Sequence, residues 1–453
     1  MTRPLTITDE RVRPSPAAVV LAAAIPVIFL HTRYQPELGV PLGGTTANVF
    51  LTDIAIGVVA VAAAAEGWRD RARVRFGLRW LWLPLVAFLA LLLASCFYAH
   101  AISSSYGVGP HLVSALKFCG YALLAPAAAI VLRDASNRRL VFWAVAAWSI
   151  VLSAVAVLQF VGVLDEFRGR RPQGREPSWI GIHDLGAFSG AAISFAFATI
   201  VLALRERRRL QVVGAASGAV GLSIAAAFDS LGGMALTAAA TWALARRRGT
   251  ATLRAAVKLG ALVAAVALAT TLLRASALHA LFEFVGVAPA SEQVEKDIQT
   301  YSHRTVLIYI GARIFLDHPV LGVGWQGSAE EYAYGPYLAA AHRRFDVAEA
   351  SFPSPRHPWG VQNGVVQTLS DLGLAGFALF VAFFAAALLA AGRVALRGPP
   401  ELAWSALAAV GWLVFAFAVF TGSGLLPGIP VDALLWLGVG LAAALHVSFG
   451  DRS

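Results

Sequence analysis

Charge is scarce in this sequence. Acidic and basic residues make up 14% of its 453 positions, while 58% are hydrophobic. Soluble globular chains carry roughly 25% charged residues, so an ordinary soluble domain is excluded. Cysteine is nearly absent. Cys96 and Cys119 lie inside apolar runs, which speaks against a disulfide framework or a thiolate metal site and leaves two small packed side chains. A nucleotide-binding glycine loop, a nucleophile elbow, a Cys/His metal cluster and a DxD acidic pair are all missing. Glu330 and Glu331 are adjacent, and adjacent side chains diverge on a helix. No metal or other cofactor is therefore expected, and any chemistry falls to arginines and histidines.

What the sequence does have is long apolar runs. A helix crosses a bilayer core with about 20 apolar residues. About twelve segments qualify on that criterion, near 16–32, 46–65, 80–99, 110–132, 140–163, 181–204, 211–228, 230–245, 255–273, 362–392, 402–421 and 430–448. The first, Ala17 to Leu30, follows a polar stretch with Arg3, Arg11 and Arg13 and precedes no small-residue cleavage site. It reads as a spanning helix rather than a cleaved leader. The fold expected is an all-α polytopic membrane protein.

The net charge of +10 follows topology and is not a nucleic-acid signal. With the N-terminus inside, cytoplasmic loops hold Arg69 to Arg79, Arg133 to Arg139, Arg205 to Arg209 and Arg246 to Arg254, as the positive-inside rule requires. Both termini are then cytoplasmic. Helices 1–9 fill 1–273, an exoplasmic loop domain with short membrane-lying helices fills 274–361, and helices 10–12 fill 362–453. In a short exoplasmic stretch, Arg168, Arg170, Arg171 and Arg175 break the rule. An anionic ligand accounts for them, and so does pairing with Asp165, Glu176 and lipid headgroups.

Two exoplasmic segments carry further candidates. In 302–325, Ser302 is placed to cap a helix that Pro319 ends. Arg304 and Arg313 are nine positions apart and fall on opposite faces; Arg304 is the functional choice, Arg313 the one snorkelling to headgroups. In 355–380, the prolines keep the approach extended, and a spanning helix starts near Gln362 and Asn363. Asn363 reads as a helix cap, and Gln362 as cap or site residue. His357 lies just above, where an imidazole acts as a general base or simply packs. Asp53, Lys117, Asp371 and Asp432 are ionisable residues at membrane depth. His183 and Asp184 open the span after the arginine stretch and could face the same cavity.

These segments resemble the O-antigen ligase and O-antigen polymerase superfamily of bacterial membrane glycosyltransferases. Arg171-Pro-Gln-Gly174 looks like the family's arginine-glycine stretch. Arg304 leading to Asp317-His318-Pro319-Val-Leu-Gly322-Val-Gly324 looks like its second arginine helix and glycine turn. Gln362, Asn363, Gly373 and Gly376 keep the spacing of its histidine, small polar residue and paired glycines, with Gln362 at the histidine position. Leu231 also stands where members often carry an arginine.

The resemblance implies a GT-C-like fold. It implies metal-independent, inverting transfer of glycan from an undecaprenyl-diphosphate carrier to a glycan or lipid acceptor on the exoplasmic face. Ligase and polymerase share this architecture. Readings of another class are a transporter or a non-catalytic lipid–glycan binder. The expected catalytic set is His357, Arg304 and Arg171. The expected binding set is Arg170, Arg175, His318, Arg356, Gln362 and Asn363, with membrane lipids around them.

Overall fold

The computed structural model describes residues 13–42, 44–74, 76–164, 178–275, 279, 282, 300–423 and 430–451. Helices dominate. In chain order they are α1 (Pro16–Ile28), α2 (Leu51–Arg69), α3 (Arg79–Ile102), α4 (Val108–Ala122), α5 (Leu124–Val131), α6 (Ala135–Phe160), α7 (Ile182–Leu202), α8 (Arg208–Ala225), α9 (Phe228–Arg248) and α10 (Leu253–Leu273). After these come α11 (Thr300–Asp317), α12 (Glu331–Arg344), α13 (Gly364–Arg397), α14 (Pro400–Ser423) and α15 (Pro430–Gly450).

Among the described residues, nine spans are long and apolar enough to cross a membrane, α4 and α5 together forming one of them. The other three of the expected segments are also helical. The first, α1, has only 13 residues, with Pro26 inside it. Its start is fixed by Ser15, whose side chain accepts from the Ala18 amide, with Pro16 at the first helical position. The remaining two are α8 and α9.

Several local expectations need correction. Residues 46–50 are strand, not helix: β1 (Glu37–Leu42) and β2 (Thr45–Phe50) form an antiparallel hairpin before α2. The expected span at 110–132 is two helices broken at Leu123. Ser302 lies inside α11, past its start, and so does not cap it. The expected stop is present, since α11 ends at Asp317, just before His318 and Pro319.

The centre of the bundle is α7 with α8 and α14. Bilayer interiors offer no hydrophobic drive between helices, so close packing of small residues holds them. A Cβ added at Gly214 or Gly218 of α8 would lie 2.3 Å from the Ala192 carbonyl oxygen or 2.7 Å from that of Ser189. From the other side, Phe415 of α14 packs over Gly190.

Charge separates the two ends. At one end Arg73 bridges Glu66 at 2.9 Å and Asp134 at 2.7 Å, and Arg207 pairs with Glu401 at 2.6 Å. There Arg248 donates to the carbonyls closing α13, and Ser448 near the end of α15 donates to the Arg133 carbonyl. The opposite end carries α11 and α12, which share a small apolar core of their own around Val306, Ile310, Tyr334 and Phe352.

Helix α13 joins that layer to the bundle. Its 34 residues reach about 50 Å at 1.5 Å per residue, well beyond a core of about 30 Å. It breaks at Gly373, whose φ is +64°. The Pro319-to-Gly324 turn lies in this break: Leu374 donates to the Pro319 carbonyl, and Val323 and Gly324 donate to those of Ser370 and Asp371. Buried Asp371 accepts in return from the Gln326 and Ser328 amides.

Candidate functional site

At the end opposite the arginine-rich loops lies a cavity of about 450 Å³. Its walls come from chain termini of helices. Ile182 and His183 open α7, Phe228 and Asp229 open α9, Tyr301 and Arg304 lie in the first turns of α11, and Asn363 caps α13. A helix N-terminus carries roughly half a positive charge and unsatisfied N–H groups, but the C-terminal ends of α8, α10 and α14 line the same cavity, so its attraction for an anion rests on its arginines. Arg304 adds one full charge and Arg274 another, the latter just past the end of α10 and 9% exposed.

A chain of polar contacts runs along one wall. His183 Nδ1 is 2.8 Å from Asp229 Oδ2, and its Nε2 is 3.0 Å from Arg304 Nη2. Asp229 is held in turn by the Ser230 amide, which donates to Oδ1 at 2.7 Å. Residues 228–230 reach this place because Ala226 ends α8 in the left-handed region (φ +48°), turning the chain straight into α9. Gly422 of α14 makes room for it: a Cβ there would sit 2.2 Å from Asp229 Oδ2.

Asn363 closes the floor. Its Oδ1 accepts from the Val366 amide at 3.1 Å, and its Nδ2 donates to the Thr421 carbonyl at 2.8 Å. On the outer side, Phe228 is 62% exposed and Leu236 58% exposed, so the polar chamber has an apolar flank along α9.

The sequence-derived candidates divide. Arg304 and Asn363 line the cavity. Arg170, Arg171 and Arg175 lie outside the described residues. His357 is exposed in the Ser354–His357 turn and stacks on Trp359, with ring centroids 5.8 Å apart; Arg356 in the same turn is also exposed. Neither they nor half-buried Gln362 line the cavity. His318 sits in the turn after α11, where its carbonyl accepts from Gly322. Arg313 is exposed on the outer face of α11.

Of the pair that opens α7, only His183 faces the cavity. Asp184 points into the bundle and accepts from the Val431 amide at 3.1 Å. Lys117 and Asp53 pair at 3.1 Å beside the β-hairpin and line a different pocket, not this cavity.

Two residues of the cavity escaped the sequence reading. Arg274 directly follows an apolar run at the end poor in arginine, a signal that was there to be read. Asp229 carries no local sequence signal that marks it as a site residue. Among the described residues, no three His, Cys, Asp or Glu side chains gather as a metal site. No protein-family model matches the chain, and no curated protein matches it.

Proposed function

We propose that this chain is a membrane glycosyltransferase of the O-antigen ligase type, which transfers glycan from an undecaprenyl-diphosphate carrier to an acceptor hydroxyl on the exoplasmic face. One observation carries the reading: Arg274 and Arg304 converge on a single cavity with an apolar flank. A polyprenyl diphosphate has that division, a dianionic head on a hydrocarbon chain. The arginine-rich loops at the far end support an exoplasmic cavity, by the positive-inside rule.

The diphosphate is already a good leaving group, so the enzyme's tasks are alignment and charge neutralisation. Arginine suits both through forked N–H contacts to phosphate oxygens. In-line attack by the acceptor oxygen on the anomeric carbon inverts its configuration. The resemblance in the Arg304–Gly324 and Gln362–Gly376 segments supports the same assignment.

Purified protein given a lipid-linked glycan and candidate acceptors tests it. Transfer with release of undecaprenyl diphosphate is the expected result, and it persists in EDTA. Lengthening of the carrier-bound glycan instead identifies the related polymerase activity. Binding of the donor without any turnover, across acceptors of lipid and glycan type, refutes the enzyme reading.

A further inference from the structure

Both ring nitrogens of His183 are engaged, and chemistry fixes their roles. A guanidinium has donors only, so Nε2, 3.0 Å from Arg304 Nη2, accepts. The single ring proton then sits on Nδ1 and is donated to Asp229 Oδ2 at 2.8 Å. That is the tautomer a general base needs, oriented by a carboxylate as such bases usually are. Its basic lone pair, however, is covered by a cation.

Arg304 also lines the cavity, where the donor's diphosphate is proposed to bind. One N–H of its fork cannot point at the imidazole and at a phosphate oxygen together. A diphosphate, with more negative charge than a neutral ring, wins the competition. We propose that His183 is the general base of this site and that Arg304 masks it until a bound diphosphate draws the guanidinium away. The proposal rests on the donor reading above. Gln362, which lacks a titratable group, lies off the cavity wall, and among the described residues His183 is the one imidazole lining it.

The acceptor hydroxyl forms its C–O bond to the anomeric carbon while its proton passes to His183 Nε2. The bond from that carbon to the diphosphate oxygen breaks, and its electron pair leaves with undecaprenyl diphosphate. The imidazolium, stabilised by Asp229, then releases the proton to solvent. Masking imposes an order, because no acceptor is deprotonated before the donor is seated.

Carbethoxylation by diethyl pyrocarbonate, which attacks the free imidazole lone pair, reads the mask directly. The probe ligand is inorganic pyrophosphate, which engages arginines without plugging the cavity with a lipid tail. With detergent-solubilised full chain, labelling of the His183 peptide is followed by mass spectrometry. It is expected to be slow at rest and at least about tenfold faster with pyrophosphate, the lower range for losing a charge-assisted hydrogen bond. Arg304→Ala is expected to be fast without pyrophosphate. Arg304→Lys, which keeps the charge if alanine does not fold, is expected between the two. Slow labelling in both variants overturns the mask, as does pyrophosphate that binds by phosphorus NMR yet leaves His183 slow, or does not bind at all. If the mask behaves as described and no glycan transfer is ever found, the reaction assigned to the site fails and the mask stands.

Discussion

Among single residues, Asp229, His183 and the two arginines carry the proposed chemistry. Asp229→Asn replaces an acceptor by an amide whose N–H₂ can face His183 Nδ1. The ring then carries its proton on Nε2, donor meets donor at Arg304, and base function is lost. Transfer is expected to fall by roughly 10²–10⁴-fold, the usual worth of a general base, with the fold intact by size-exclusion profile. Retained activity in that variant contradicts the base assignment. Gly422→Ala reaches the same wall from behind, by pushing against Asp229 Oδ2. Displacement of a catalytic group by about 1 Å costs on the order of 10²-fold, and a Gly422→Ala rate equal to wild type would show that Asp229 has slack. Arg274→Ala and Arg304→Ala are each expected to weaken donor binding roughly 10- to 150-fold, the value of one charge-assisted contact. Lysine restores only part of it, lacking the fork.

At the scale of elements, the glycine turn after α11 and the break in α13 are one device. A Cβ at Gly373 would lie 2.3 Å from the Val320 carbonyl carbon, and Gly373 also needs its φ of +64°. Gly373→Ala is expected to cost about 1–3 kcal/mol from backbone strain alone, more with the clash, seen as a lower Tm in detergent; an unchanged Tm argues against the pinned turn. The small core of α11 and α12 borders a titratable group. Buried His303 gives its Nδ1 proton to the Ser351 carbonyl at 2.8 Å, and burial lowers its pKa, with nearby Arg304 acting the same way. Its folded value lies below the unfolded one of about 6.5, so the unfolded form takes up the proton first. Stability of this layer is therefore full above that value and is lost as pH falls from it toward the folded pKa. Hydrogen exchange in α11 is expected to quicken across that window, and His303→Gln is expected to flatten the change.

These devices also show where sequence is legible. Apolar runs are local, so each of the twelve segments has a helical counterpart, and Asn363 could be read as a cap from its place before an apolar run. Backbone pairing between Val320 and Ala375, or a side-chain contact between His183 and Arg304 across 121 positions, leaves no periodic trace. The hairpin at 37–50 was missed because β2 runs directly into α2, and its Thr-Thr-Ala-Asn-Val stretch reads as the start of an apolar span.

For the whole molecule, the proposed function depends on sidedness and on where a lipid diphosphate would sit. With Cys96 and Cys119 replaced, a cysteine at Ser354 is expected to react with an impermeant reagent from the exoplasmic side. Reaction only from the cytoplasmic side inverts the topology and removes the cavity from the acceptor's compartment. The most direct test is a cryo-EM structure of the chain with undecaprenyl diphosphate in a lipid nanodisc. The account expects the diphosphate between Arg274 and Arg304, the hydrocarbon chain along Phe228 and Leu236, and Arg304 turned off His183. A diphosphate bound elsewhere, or a lipid in the cavity that touches neither arginine, contradicts it.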